Sequence, residues 1–195
     1  MRIIAGQHRG RTLVSVRDQS VRPTTDRAKQ TIFDILSNRL DFEEIEVLDL
    51  FAGSGSLGLE AISRGAGQVT FVDKSTSSLK ALEANVRTLG CAEQCTSYAA
   101  DAFWYLKNAH RSFDLVFVDP PYRLERIAEL PAELFASEAL REGTFVVMEH
   151  SKESQVEPSE SMFEVIRKPF GQTTVLVLKT KPKATNPTSR QQPEG

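Results

Sequence analysis

Hydrophobic positions along the chain fall into two rhythms that alternate. Short apolar runs at Glu46–Leu50, Gln68–Asp73, Gln94–Tyr98, Phe113–Val118 and Thr144–Glu149 read as strands. Phe113–Val118 is almost continuously apolar, as expected of a central parallel strand buried on both faces. Helical spacing fills the gaps. Gly53–Arg64 follows the first strand and stops at Gly65 and Gly67. In Ser75–Leu89, the residues Leu79, Leu82, Val86 and Leu89 recur every three or four positions, and Gly90 closes the helix. A short helix from Ala102 has Phe103, Leu106 and Trp104 as its inward candidates. Leu124–Leu140 reads as a helix pair, or one helix interrupted at Pro131.

The two ends follow different patterns. Met1–Gly6 and Arg11–Val16 flank a turn holding Gly6 and Gly10, which suggests a β-hairpin. Pro23 then ends any extended piece, and Thr24 or Thr25 offers an N-cap oxygen to a helix whose stripe is Ala28, Ile32, Ile35 and Leu36. Near the other end, Phe163–Arg167 and Thr174–Leu178 are two strands joined through Pro169-Phe170-Gly171-Gln172, hence antiparallel. Lys179–Gly195 is polar and proline-bearing, the composition of a disordered tail. Five strands alternating with helices, followed by a hairpin, predict a three-layer α/β sandwich.

Composition narrows the class without choosing a function. The chain has 195 residues, 40% hydrophobic and 26% charged, which suits one soluble domain with at most a small appendage. No apolar run approaches the ~20 residues of a membrane span, and the start lacks a signal-peptide core. Cys91 and Cys95 are the two cysteines, with no histidine nearby in sequence, so they read as ordinary thiols rather than a metal site or disulfide framework. Net charge is −2, yet residues 1–40 carry eight Arg/Lys against three Asp/Glu, and residues 179–195 four against one. An acidic body with a basic arm suits a polyanionic partner on one side. His8, with Arg9 and Arg11, falls at the hairpin turn, whereas His110 and His150 show no metal or general-base spacing.

The chemistry collects at strand ends. Asp49 precedes the turn Gly53-Ser54-Gly55-Ser56-Leu57-Gly58; Asp73 and Asp101 end the second and third strands; Asp119-Pro120-Pro121-Tyr122 ends the fourth. Open α/β sheets bind ligands along that edge. Asp73, twenty residues beyond Gly53, is placed to accept both hydroxyls of a ribose. The glycine turn also matches the dinucleotide fingerprint, which keeps a nicotinamide-dependent oxidoreductase as a rival. Asp49 disfavours that rival, because an acid beside the turn repels a pyrophosphate and suits a cationic ligand such as S-adenosylmethionine. Asp101 followed by the small Ala102 suits an adenine amine. In Asp119–Tyr122, two prolines hold a rigid turn. The Asp119 carboxylate and Pro120 carbonyl can accept both hydrogens of an aromatic exocyclic amine, and Tyr122 offers a stacking face. Glu149, ending the fifth strand, is a further candidate for the pocket wall.

These two motifs, Asp49-Leu50-Phe51-Ala52-Gly53-Ser54-Gly55 and Asp119-Pro120-Pro121-Tyr122, resemble those of class I S-adenosylmethionine-dependent amino-methyltransferases. The N-terminal Met1–Gly6, Gly10-Arg11 and Arg22-Pro23-Thr24-Thr25-Asp26-Arg27 resemble the bacterial small-subunit rRNA guanine-N2 methyltransferases, and the likeness runs from Met1 to about Leu178. It implies a seven-stranded, mostly parallel sheet with an antiparallel last strand, and methylation of one guanine (position 966) of 16S rRNA. It also implies three parts: an RNA-contacting hairpin and helix over 1–40, a methyltransferase domain over 41–179, and a tail over 180–195. S-adenosylmethionine would then be held by Asp49, Phe51, Ala52, Gly53, Ser54, Gly55, Asp73, Lys74, Asp101 and Ala102. Asp119, Pro120, Pro121 and Tyr122 would form the catalytic turn, and Arg9, Arg11, Arg22, Thr24 and Arg27 would hold RNA. The expected partner is 16S rRNA, free or in a 30S subunit, met by a cytoplasmic monomer. Two further readings remain at this stage. One is an amino-methyltransferase acting on DNA adenine N6 or protein glutamine; the other is an RNA-binding module without turnover.

Overall fold

The computed structural model describes residues 1–15 and 26–183. Seven strands form one sheet: β1 (Glu46–Leu50), β2 (Gln68–Asp73), β3 (Cys95–Ala99), β4 (Phe113–Val118), β5 (Leu140–Ser151), β6 (Phe163–Phe170) and β7 (Thr173–Thr180). Their order across the sheet is β3-β2-β1-β4-β5-β7-β6. The first five run parallel, and β7 is antiparallel to both of its neighbours. The expected sheet is present, with its antiparallel last strand. Pro169, which can donate nothing to a ladder, sits in β6 at the sheet's edge.

Both faces of the sheet are covered. The helices are α1 (Asp26–Ser37), α2 (Ser56–Ser63), α3 (Thr76–Leu89), α4 (Ala102–Lys107) and α5 (Leu130–Ala136). Alternate strand residues point to opposite faces. Val47, Phe71, Leu115, Phe117 and Val147 therefore join Ile32, Phe33, Leu36, Leu59, Ile62, Leu82 and Val86 of α1–α3 in one core. Leu48, Leu50, Val72, Val116, Val118 and Met148 join Tyr105, Leu106, Leu130 and Leu134 of α4 and α5 in the other. Gly58 lets α2 lie close on β2, where an added Cβ would collide with the Phe71 ring.

Several local expectations are corrected. Trp104 is 60% exposed; Leu106 is buried as expected, and Tyr105 turns inward beside it. A six-residue helix has too few turns for periodicity to choose its face. Pro131 lies in the first turn of α5, preceded by a 3-10 turn at Ile127–Glu129. It begins that helix, because a first-turn residue needs no N–H partner. The third strand runs Cys95–Ala99, one residue later than read. The fifth strand begins at Leu140, not Thr144, with a register shift between Phe113 and Leu115 of its partner. Thr180 ends β7 and is buried, its hydroxyl donating to the Thr144 carbonyl at 3.1 Å. The expected tail thus begins later than residue 180, and residues 184–195 lie outside the described residues.

The N-terminal arm is a short antiparallel hairpin, as expected, pinned to the body. Its one bridge pairs Arg2 with Thr12, and Ile3 N donates to Arg11 O while Leu13 N donates to Met1 O, both at 2.9 Å. Ile3 and Leu13 enter the same core as α1–α3. Beneath the arm lies a polar network on α2. Glu60, fully buried, accepts from Ile4 N at 2.7 Å, Ala5 N at 3.0 Å and Arg64 Nε at 2.9 Å. Lys29 Nζ, also fully buried, lies 3.3 Å from Glu60 and donates to Arg2 O at 2.6 Å. Burial pulls the Lys29 pKa down, against the Glu60 charge that holds it up. Gly6, at φ +81°, crosses Ser63 so closely that any Cβ would overlap the Ser63 carbonyl.

Removing one partner of such a buried pair strands the others without solvent. Glu60→Ala is expected to destabilise the fold by about 3–5 kcal/mol. Urea unfolding followed by circular dichroism measures it; a loss of less than about 1 kcal/mol would contradict the role given to Glu60.

Candidate active site

The carboxyl ends of β1, β2 and β4 bring three acids together. Asp49 is 2% exposed, and its Oδ2 accepts from Gly58 N at 2.9 Å. That bond ties the end of β1 to the first turn of α2, closing residues 50–57 into a loop. Burial pushes the Asp49 carboxyl well above the ordinary carboxylate range. The Gly58 N–H opposes that shift, while the charges of Asp119 and Asp73 add to it. A buried carboxyl with two further acids close by suits a cationic ligand.

Loop geometry follows from Phe51, Gly53 and Gly55, all with positive φ (59°, 56° and 84°). For Phe51 that backbone is strained, a feature that concentrates where ligands bind. A Cβ on Gly53 would meet nothing within 4 Å, whereas one on Gly55 would collide with Leu82. Gly53 therefore faces open space and Gly55 serves close packing. The expected helix start at Gly53 moves accordingly: Gly53–Gly55 form the turn, and α2 begins at Ser56. Ala52 and Ser54 are buried in this loop. Asp73 Oδ2 accepts from Gly53 N at 2.8 Å, and its Oδ1 from Ser75 N at 2.7 Å. Asp73 thus braces the glycine turn and retains lone pairs for a diol. Lys74 beside it is exposed.

Asp101 caps α4, its Oδ1 accepting from Phe103 N at 3.0 Å and Trp104 N at 3.2 Å. Ala102 is buried behind it. Part of this acid's role is therefore helix capping. Pro120 is buried, Pro121 is exposed and accepts from Leu124 N at 2.9 Å, and Tyr122 is 40% exposed. From this turn the chain leads to Arg126, whose guanidinium lies 4.2 Å from the Phe103 ring centroid. The loop after the prolines is thereby linked to α4.

The basic residues divide into groups. Arg9 and Arg11 are exposed, but their turn is bonded to Ser63 at the far end of α2: Gln7 N donates to Ser63 O at 2.7 Å and His8 N to Ser63 Oγ at 3.0 Å. Eight helical residues, about 12 Å, separate them from the glycine turn. Arg27 is exposed on α1, while Arg22 and Thr24 lie outside the described residues. Burial, and then the Arg11 charge, lower the His8 pKa. Glu149, two residues before the end of β5, is half-buried, and His150 beside it is buried with Nδ1 2.8 Å from Ser151 O.

Comparison with known proteins agrees with this geometry. The family model "Conserved hypothetical protein 95" matches residues 1–179. The chain belongs to this family. It is 35% identical over 183 residues to the "Putative rRNA methyltransferase YlbH" of Bacillus subtilis, covering 92% of this chain and 98% of the relative. It is 36% identical over 156 residues to the "Ribosomal RNA small subunit methyltransferase D" of Haemophilus influenzae, covering 78% and 80% of the two chains. The structure of "Putative methyltransferase yhhF" from Escherichia coli superposes with a TM-score of 0.80 at 30% identity, over 94% of this chain and 99% of that one. The protein is a class I S-adenosylmethionine-dependent methyltransferase, and the nicotinamide rival falls away.

The site of this methyltransferase suits that cofactor on its own terms. The buried Asp49 carboxyl, with Asp73 and Asp119 near it, suits a cation, and Gly53 leaves room for close backbone approach. Lys29, Glu60 and Asn85, all buried, escaped the reading of the sequence. Each interrupts an apolar helix face: Lys29 leads Ile32, Phe33 and Leu36 at helical spacing, Glu60 is the one charge in α2, and Asn85 follows Leu82 by three. A polar residue within such a stripe was the available signal.

Protonating Asp49 removes the charge that a cationic cofactor would need. Its raised pKa means that S-adenosylmethionine should bind weakly on the acid side, tighten as pH rises through that pKa, and level off above it. Titration calorimetry across mildly acidic to neutral pH tests this. Asp49→Asn should flatten the profile and weaken binding about ten- to a hundredfold, the worth of a charge-assisted hydrogen bond. An unchanged profile in the variant would remove Asp49 from the cofactor's contacts.

Proposed function

We propose that this methyltransferase modifies the exocyclic N2 of a guanine in 16S rRNA, position 966 in the family it resembles. The observation that carries the reading is the Asp119–Tyr122 turn. Its acid lies at the end of β4, near enough to Asp49 to perturb that carboxyl's titration, with an exposed aromatic three residues on. The rRNA names of the relatives support the polymer. So does a basic arm held on an acidic body.

We assign the residues the following roles. Asp49, Phe51, Ala52, Gly53, Ser54 and Gly55 hold the methionine part of the cofactor, Asp73 with Lys74 the ribose side, and Asp101 with Ala102 the adenine. When bound, S-adenosylmethionine supplies an activated methyl group. The Asp119 carboxylate and the Pro120 carbonyl accept the two hydrogens of the amine. This opposes delocalisation of its lone pair into the ring and turns that pair away from both acceptors. Pro121 keeps the turn rigid, and Tyr122 stacks on the base, which must leave its own stack to enter. Much of the rate then comes from positioning. The departing proton passes to Asp119 or to solvent. Arg9, Arg11, Arg22, Thr24 and Arg27 grip the RNA backbone. Residues 1–40 act as the RNA-contacting extension of a cytoplasmic monomer whose substrate is the rRNA of a 30S subunit or its precursor. Among the described residues, no helix is long and apolar enough to cross a membrane.

Mass mapping and primer extension on 16S rRNA from cells lacking the protein should show one guanine without its N2 methyl, restored by the purified enzyme. Labelled methyl groups should enter ribosomal subunits and not DNA or protein; incorporation into DNA adenine or protein glutamine would overturn the substrate. Asp119→Ala should lower kcat at least about a hundredfold, with S-adenosylmethionine affinity changed only a few-fold. Tyr122→Ala should raise KM for RNA, and Tyr122→Phe should restore it.

A further inference from the structure

Two side chains touch both the arm and the cofactor loop: Lys29, through Arg2 O and Ser56 Oγ, and Asn85, which reaches the turn Gly53–Gly55 itself. Asn85 of α3 is 1% exposed, and all of its recorded bonds are to backbone. Its Oδ1 accepts from Val14 N at 2.7 Å, and its Nδ2 donates to Val14 O at 2.9 Å. The same Nδ2 donates to Ser54 O, also at 2.9 Å. The amide therefore pairs with Val14 as a neighbouring strand would, while holding the carbonyl between Gly53 and Gly55. Buried this deeply, it has no water to replace a lost partner.

The remaining anchors of the arm lie elsewhere. Glu60 takes the amides of Ile4 and Ala5, and Ser63 takes those of Gln7 and His8. Neither contacts the glycine turn. Val14 is thus the point where the arm meets the turn Gly53–Gly55. Lys29 Nζ, which also holds Arg2 O, reaches only Ser56 Oγ beyond that turn, at 3.4 Å.

We propose that Asn85 is a positioning residue that couples cofactor binding to RNA binding. A cofactor seated against Gly53-Ser54-Gly55 fixes the Ser54 carbonyl. Through the planar Asn85 amide it fixes Val14 as well, and with it the arm that carries Arg9 and Arg11. Linkage is reciprocal, so RNA held by that arm tightens the cofactor by the same factor. The proposal rests on the rRNA reading of the arm, but its first test uses no RNA.

Hydrogen exchange of the Val14 amide is followed with and without saturating S-adenosylhomocysteine, taking the Ile4 amide as the reference for global stabilisation. In the wild type the product should slow Val14 at least about tenfold more than Ile4. In Asn85→Ala the two amides should respond alike. No selective slowing in the wild type overturns the coupling, whether or not any variant folds. Selective slowing that survives in a folded Asn85→Ala shows that another group carries it, and overturns the assignment. The second test measures affinity for a 16S rRNA fragment by filter binding. The product should tighten RNA binding in the wild type and not in Asn85→Ala, and equal tightening in both would overturn the proposal. Failure of the rRNA reading would appear differently, as a wild-type enzyme that leaves the rRNA guanine unmethylated.

Discussion

The hydrogen bond from Gly58 N to the Asp49 carboxylate is the contact on which the site depends. It crosses from the end of a central strand to the first turn of the next helix, and the intervening residues have little choice but to fold into a tight loop. Phe51, Gly53 and Gly55 take left-handed backbone there because the span is short. Asp73 then braces the loop from the neighbouring strand through Gly53 N. The same carboxylate that closes the loop is buried among other acids and holds its proton more tightly than usual. Structure and ligand preference thus come from one group: Asp49 shapes the pocket and leaves it short of positive charge.

Much of this was legible in the chain. β1, β2 and β4 begin and end where their apolar runs do, since a strand buried on both faces leaves no ambiguity about its extent. The strand-end acids were legible because a parallel sheet places successive carboxyl ends on one edge. Asp101 shows the limit of that logic. An acid before a helix caps it whether or not a ligand is present, so the sequence pattern is the same for both roles.

The less legible features share a cause. Pattern reading sends apolar groups inward and polar groups outward, and Lys29, Glu60 and Asn85 do the reverse. Each is buried because backbone amides or carbonyls of the arm meet it, and that meeting is long-range. Trp104 fails in the opposite sense, exposed on a helix of six residues where Tyr105 and Leu106 fill the inward positions. The arm itself was read as a hairpin. Its antiparallel pairing is present but short, and the rest of its backbone bonds outward to Glu60, Ser63 and Asn85.

That outward bonding has a consequence for how the chain is made. Val14 leaves the ribosome 71 residues before the side chain that receives it, and Ile4 56 residues before Glu60. At translation rates of about 5–20 residues per second, the arm waits roughly 4–14 s for Asn85. Through that interval Ile3 and Leu13 have no core to enter. The arm thus waits on residues made well after it, and α2 and α3 must be in being before it can dock.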